Sequence, residues 1–208
     1  MLALGLGLFS AHDYASARTT LEALLHANVR LGVDEREILD VQTNLMFCYD
    51  RLGREEEALP LRQHIYNRTK LLCGPSHENT MIDAVSLATS LSKLNHHAAC
   101  QTLALEVMPI CQKSFGPAHR YTLELRATYA RSLICGIGLL YEEGEERAAF
   151  YKILSQLHRA EQILETDLGL ASRAFGATHK RTEDTKSRLK VVRESITDWI
   201  KLFSRPRK

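Results

Sequence analysis

Between Ile38 and Leu52 the apolar residues are Ile38, Val41, Leu45, Met46, Tyr49 and Leu52, spaced by steps that gather them on one side of a helical turn. That spacing predicts an amphipathic helix. After a turn at Gly53, Ala58, Leu61, Ile65 and Leu72 predict a second. The rhythm returns over Met81–Leu94, Ala98–Gln112, Tyr121 to about Cys135, and about Gln156 to Arg173. A last helix, roughly Arg181 to Leu202, carries Leu189, Val192, Ile196 and Ile200 on one stripe. Strict alternation is hardly seen, so no strands are expected. Met1–Ser10 reads as a shortened helix paired with Tyr14–Arg30, either an abbreviated cap or the tail of a longer array. Pro109, inside Leu103–Gln112, is expected to kink that helix or end it early.

The helices come in repeats. Leu31-Gly-Val-Asp-Glu35, Cys73-Gly-Pro-Ser-His77, Phe115-Gly-Pro-Ala-His119 and Phe175-Gly-Ala-Thr-His179 align at spacings of 42, 42 and 60 residues, the last being one repeat plus an insertion of 18. Small residues recur before the last three blocks, at Ala58, Cys100 and Ala160, with Ala17 one residue off that register. Each block glycine is expected to cap the preceding helix in the left-handed conformation. His77, His119 and His179 are expected to brace the next turn, three residues ahead of Thr80, Thr122 and Thr182. The expected fold is all-α, an α-solenoid of antiparallel helix pairs with a C-terminal capping helix. Its parts are an abbreviated N-terminal pair over 1–30, repeats over 31–179 with an insertion near 136–153, a capping helix over 180–203 and a basic tail over 204–208.

Gly53-Arg-Glu-Glu-Glu-Ala-Leu-Pro-Leu61, followed by Leu72-Cys-Gly-Pro-Ser-His-Glu-Asn-Thr80, resembles the tetratricopeptide (TPR) repeats of kinesin light chains. Those repeats share the 42-residue period, the "GRxEEAxPL" turn and the "GPxHPxT" junction, and the resemblance runs from about Ala11 to about Val192. In place of the proline after His stand Glu78, Arg120 and Lys180. The resemblance implies a concave face lined by the first helix of each pair. Laid onto this chain, the pattern puts Asp40, Thr43, Asn44, Phe47, Asp50 and Arg51 there in the first full repeat. It adds Ile82, Val85, Ser86, Thr89 and Lys93 in the second, and Glu124, Thr128 and Arg131 in the third. Phe47, Ile82 and Val85 offer apolar contact. Asn can bond an extended backbone through both its donor and its acceptor, and Arg or Lys can hold a carboxylate. The expected function is a protein–protein interaction adaptor holding a peptide segment of a partner. The alternatives are a solvated polar face, a self-associating module (hence a homo-oligomer), or part of a larger protein with its activity elsewhere.

Composition narrows the rest. Lys and Arg number 27 against 25 for Asp and Glu over 208 residues, a near-balance that argues against nucleic acid as a partner. No apolar run reaches the length of a membrane span, and the opening segment lacks the basic region of a signal peptide. Five cysteines, never as close as CxxC, read as buried thiols of a reduced, cytoplasmic protein. The spaced histidines sit on successive layers roughly 10 Å apart, too far for a common ion. No phosphate loop, nucleophile elbow or zinc spacing appears, so neither enzyme, metal nor cofactor is expected. Glu142, Glu143, Glu145 and Glu146 form an acidic cluster read as an exposed loop, or else as a docking site for a basic partner. From Lys180 to Lys208 the local balance is +6. That segment reads as the polar side of a cap sealed by Trp199 and Phe203, or as contact with an acidic surface, tubulin or nucleic acid.

Overall fold

The computed structural model describes residues 2–136 and 146–203, and among these there is no strand. The helices are α1 (Leu2–Ser10), α2 (Tyr14–Leu31), α3 (Glu35–Arg51), α4 (Glu55–Cys73), α5 (Glu78–Lys93), α6 (His97–Phe115), α7 (Arg120–Cys135), α8 (Glu146–Phe175) and α9 (Lys180–Phe203). Helices α1 to α4 pack each on the next, as do α6 to α9, giving the all-α array of antiparallel helix pairs that the periodicity requires. Two compact units divide the chain, residues 1–90 and 91–208.

In the first unit, Ala17 and Leu21 of α2 meet Val41, Leu45 and Cys48 of α3. Leu39 and Met46 of α3 in turn meet Ala58 and Ile65 of α4. In the second, Tyr129, Ala130 and Leu133 of α7, Ile153, Leu157, Ala160 and Leu164 of α8, and Leu189, Val192 and Ile196 of α9 form one core. Trp199 packs on it part-buried, whereas Ile200, the last member of the expected stripe, is 43% exposed. The small residues Ala17, Ala58, Cys100 and Ala160 are all fully buried. With almost no side chain at these points, the packed helices can approach closely.

The junctions bear out the bracing expectation and correct its backbone. Nδ1 of His77, His119 and His179 accepts the N–H two residues on, from Asn79, Tyr121 and Arg181. The buried hydroxyls of Thr80, Thr122 and Thr182 donate to the carbonyls of Gly74, Gly116 and Gly176 at 2.7, 2.8 and 2.8 Å. Gly32 is the expected left-handed cap, at φ 63° and ψ 37°. Gly74 and Gly116 instead lie at φ 93° and 97° with ψ near 160°, a positive-φ extended region open essentially to glycine. Pro75 and Pro117 favour extended backbone at the position before them, and Gly176 takes the same φ, 92°, ahead of Ala177.

Two further expectations are corrected. Of the two outcomes expected at Pro109, the early end is corrected: α6 continues to Phe115. The carbonyl that the proline leaves without a donor belongs to Leu105, itself 48% exposed, where water can serve. Helix α8 begins at Glu146 rather than near Gln156, because Ile153 extends the buried stripe of Leu157, Ala160 and Leu164 toward the N-terminus. Glu142, Glu143 and Glu145 lie outside the described residues, as does the basic tail 204–208.

Candidate functional site

On α3, several of the expected contact residues satisfy themselves locally. Thr43 donates its hydroxyl to Leu39 O, and Asn44 donates its amide to Asp40 O, both at 2.8 Å. Asp40 is exposed, Phe47 is 45% exposed, and the exposed Arg51 holds its guanidinium 6.0 Å from the Tyr14 ring centre. On α5, Val85 is buried and Thr89 bonds back to Val85 O at 2.8 Å. Ser86 accepts from Arg62, a buried residue of α4 whose guanidinium also pairs with Asp50 of α3. Arg62 therefore ties three helices together and takes Asp50 and Ser86 out of the free surface. Beside it, burial raises the Asp83 carboxyl, opposed by a hydrogen bond from Thr69 and the charge of Arg62. A groove of about 590 Å³ in this unit gathers Asp40 and Thr43 with Arg36, Thr69, Ile82 and Asp83.

The second unit holds Lys93, exposed near the end of α5, and the third-repeat residues on α7. Glu124 is exposed, Arg131 half-buried, and Thr128 packed inside at 3% exposure. Residues 124, 127 and 131 fall on one face of α7 by their helical spacing. That face and α9, both packed on α8, border two hollows. One, of about 310 Å³, is walled by Ala127, Ala130, Ile134, Leu164 and Val191, with Arg131 and Arg188 at its polar edge. The other, of about 430 Å³, is bordered by Glu124, Asp167, Asp184 and Lys180. Both include Ala127 and Arg188, so they adjoin.

Asp167 is the residue that sequence reasoning missed. It lies on α8 at 2% exposure, on the stripe of Leu157, Ala160, Leu164 and Ala171. Arg126 of α7 approaches Oδ1 to 2.8 Å as an ion pair. Neither carboxylate oxygen receives a hydrogen bond among the described residues. Burial pushes the carboxyl up to about 7, against the pull of Arg126 and Arg188. The visible signal was an acid standing where an apolar residue belongs.

Arg188 was counted in the basic segment but not as a site residue. Its neighbours are mostly neutralised: Lys186 pairs with Glu183, Lys201 with Asp198, and Arg193 of α9 with Glu161 and Glu165 of α8. Arg188 makes no ion pair or hydrogen bond among the described residues, and it borders both hollows. The face can therefore seat an apolar side chain and donate to carbonyl or carboxylate oxygens through Arg131 and Arg188.

Solved structures share this fold. A point variant of a Podosopora anserina protein assigned as a kinesin light chain with nearly identical TPR-like repeats superposes with a TM-score of 0.70 at 14% identity, over 97% of this chain and 90% of that one. The same protein without that change gives a TM-score of 0.68 at 14% identity, over 96% and 90%. BtubC (BKLC) of P. vanneervenii gives 0.51 at 13% identity, over 99% and 82%. No protein-family model and no curated relative matches the sequence.

Proposed function

We propose that this TPR-like array is a non-enzymatic protein-interaction adaptor that seats a peptide segment of a partner protein against α7 and α9. The observation that carries the reading is the apolar hollow between Arg131 and Arg188. Apolar walls provide burial for one side chain, and the two guanidiniums at the edge provide directional donors. The shared architecture with TPR-like arrays supports the reading, since stacked helix pairs present extended surfaces suited to peptides. Cys48, Cys100 and Cys111 are buried thiols as expected, whereas Cys73 and Cys135 are exposed, and the free state of all five favours a reducing, cytoplasmic setting. No helix of the described residues is long and apolar enough to cross a membrane.

A displayed library of random 12-residue peptides, selected on the folded chain, supplies a probe. Its affinity is then measured by fluorescence anisotropy for wild type, Arg131→Glu and Val191→Asp. Val191 is exposed and Arg131 half-buried, and circular dichroism checks that both variants fold. A loss of tenfold or more in each supports the face; unchanged affinity in both, or a library that yields no binder, overturns it.

A further inference from the structure

Both cations at the apolar hollow lack a counter-charge. Arg131 borders its 310 Å³ from α7 and Arg188 from α9, and no Asp or Glu lines it among the described residues. Neither guanidinium makes an ion pair or a hydrogen bond among those residues. Glu124, Asp167 and Asp184 border the adjoining hollow instead, where Asp167 is already paired with Arg126. Arg188 adds to the field at Asp167 without bonding it. Ser187, also on the lining, spends its hydroxyl proton on Glu183 O at 3.0 Å.

Charge and connectivity together choose the occupant. An incoming ammonium or guanidinium would meet two cations, and a neutral group would leave both uncompensated. A carboxylate suits them, because the guanidinium fork binds it through paired donors. In an extended internal segment, an acid next to the apolar residue points to the opposite face. The next side chain on the same face stands two residues, about 7 Å, further on. A helix, about 10 Å across with its side chains, is too broad to enter the space. The last residue of a chain has no such separation, since its side chain and its α-carboxylate leave the same Cα. Resting on the adaptor reading above, we infer that the hollow receives the C-terminus of a partner protein, its last residue apolar and inside, its α-carboxylate held at the edge by Arg131 and Arg188.

The arrangement selects a chain end rather than a composition. An internal segment with the same apolar residue buries the same side chain but brings an uncharged amide to the guanidiniums. One residue added beyond the apolar one carries the carboxylate outward by about 3.5 Å, off the edge of the hollow. Val191, 55% exposed, leaves the entrance open to a residue arriving from solvent.

Two displayed libraries of random 12-residue peptides are selected on the folded chain, one ending in a free carboxylate, the other joined to its carrier at the C-terminus. The strongest binder is made as the acid, as the C-terminal amide and with one Gly added at its end. Affinities are read by anisotropy against wild type, Arg131→Met and Arg188→Met, with circular dichroism as a check on folding. Arg188 is exposed, so its variant stays informative even if Arg131→Met unfolds. The expected binder comes from the free-ended library and closes on an apolar residue. On wild type its amide and its Gly-extended form bind at least tenfold more weakly than the acid, and in each arginine variant acid and amide differ less than threefold. A smaller loss on wild type, or an acid preference that either folded variant retains, overturns the inference. If binders come only from the joined library and are lost in Arg131→Glu and Val191→Asp, the C-terminal inference falls and the adaptor reading stands. If neither library yields a binder, both fall.

Discussion

The hydroxyl of Thr122 donates to the carbonyl oxygen of Gly116 across 2.8 Å, closing the joint between α6 and α7 from a fully buried position. The Sγ of Cys111 lies 3.3 Å from the same hydroxyl. Replacing Thr122 by Val keeps the shape but removes the shorter of two bonds to that carbonyl, which His119 N–H also reaches at 3.4 Å. The expected cost is about 0.5–1.5 kcal/mol in chemical denaturation, with Ser in its place restoring most of it. A stability unchanged in the Val variant would remove the bond from the account of the joint.

The glycines before the joints differ in kind, and asparagine distinguishes them. Gly32 is left-handed, a conformation Asn tolerates, so Gly32→Asn should cost less than about 1 kcal/mol. Gly116 combines positive φ with extended backbone, and no atom would crowd an added Cβ there. The cost of Gly116→Asn is therefore conformational, about 1–3 kcal/mol. Equal melting temperatures for the two variants would contradict this distinction.

Arg62 should be costly to remove. Truncation to Ala deprives Asp50 and Ser86 of their partner and leaves a charge half-sheltered between α3 and α4. A loss of about 2–4 kcal/mol is expected, reduced from the figure for wholly buried pairs because Asp50 retains some contact with water. Arg62→Ala, Asp50→Ala should lose less than the separate losses combined, which a double-mutant cycle measures.

Asp167 makes stability depend on pH in the direction opposite to most paired acids. Its carboxyl sits at about 7 in the folded chain, so the fold keeps a proton that the unfolded chain releases above the ordinary Asp range. Its contribution is largest in acid and falls as pH rises from about 4 to about 7, by on the order of 4 kcal/mol at most, then levels off. Urea unfolding of wild type and Asp167→Asn at about pH 5 and about pH 7.5 checks the sign. Wild type should lose more stability than the variant over that interval; an equal or smaller loss would refute the linkage.

What the sequence made legible is whatever the chain decides locally. Apolar spacing placed the helices, and the recurring Gly, His and Thr placed the joints, because the bonds among those three residues and their neighbours span six positions or fewer. The pairing of Arg62 with Asp50 and of Asp167 with Arg126 depends on which helix faces which, a matter periodicity does not settle. For the same reason, an expected contact residue such as Asn44 could be placed on a helix, but not shown to bond its own backbone. The start of α8 escaped because the acidic run ahead of it masks the first turns of its stripe.

Each joint is self-contained, built from one short stretch that carries its own glycine, histidine and threonine. Such a hinge travels intact when a stretch of chain is duplicated, so repeats can be copied in tandem like cassettes. Extra length is then admissible only away from the hinge. The longest spacing obeys this: its added residues are shared between the α7–α8 connection and α8 itself, which has 30 residues against 19 in α4 and α6, while the Gly176, His179 and Thr182 joint keeps the geometry of the earlier ones. An array assembled this way can vary its loops and its surface without renegotiating how one pair connects to the next.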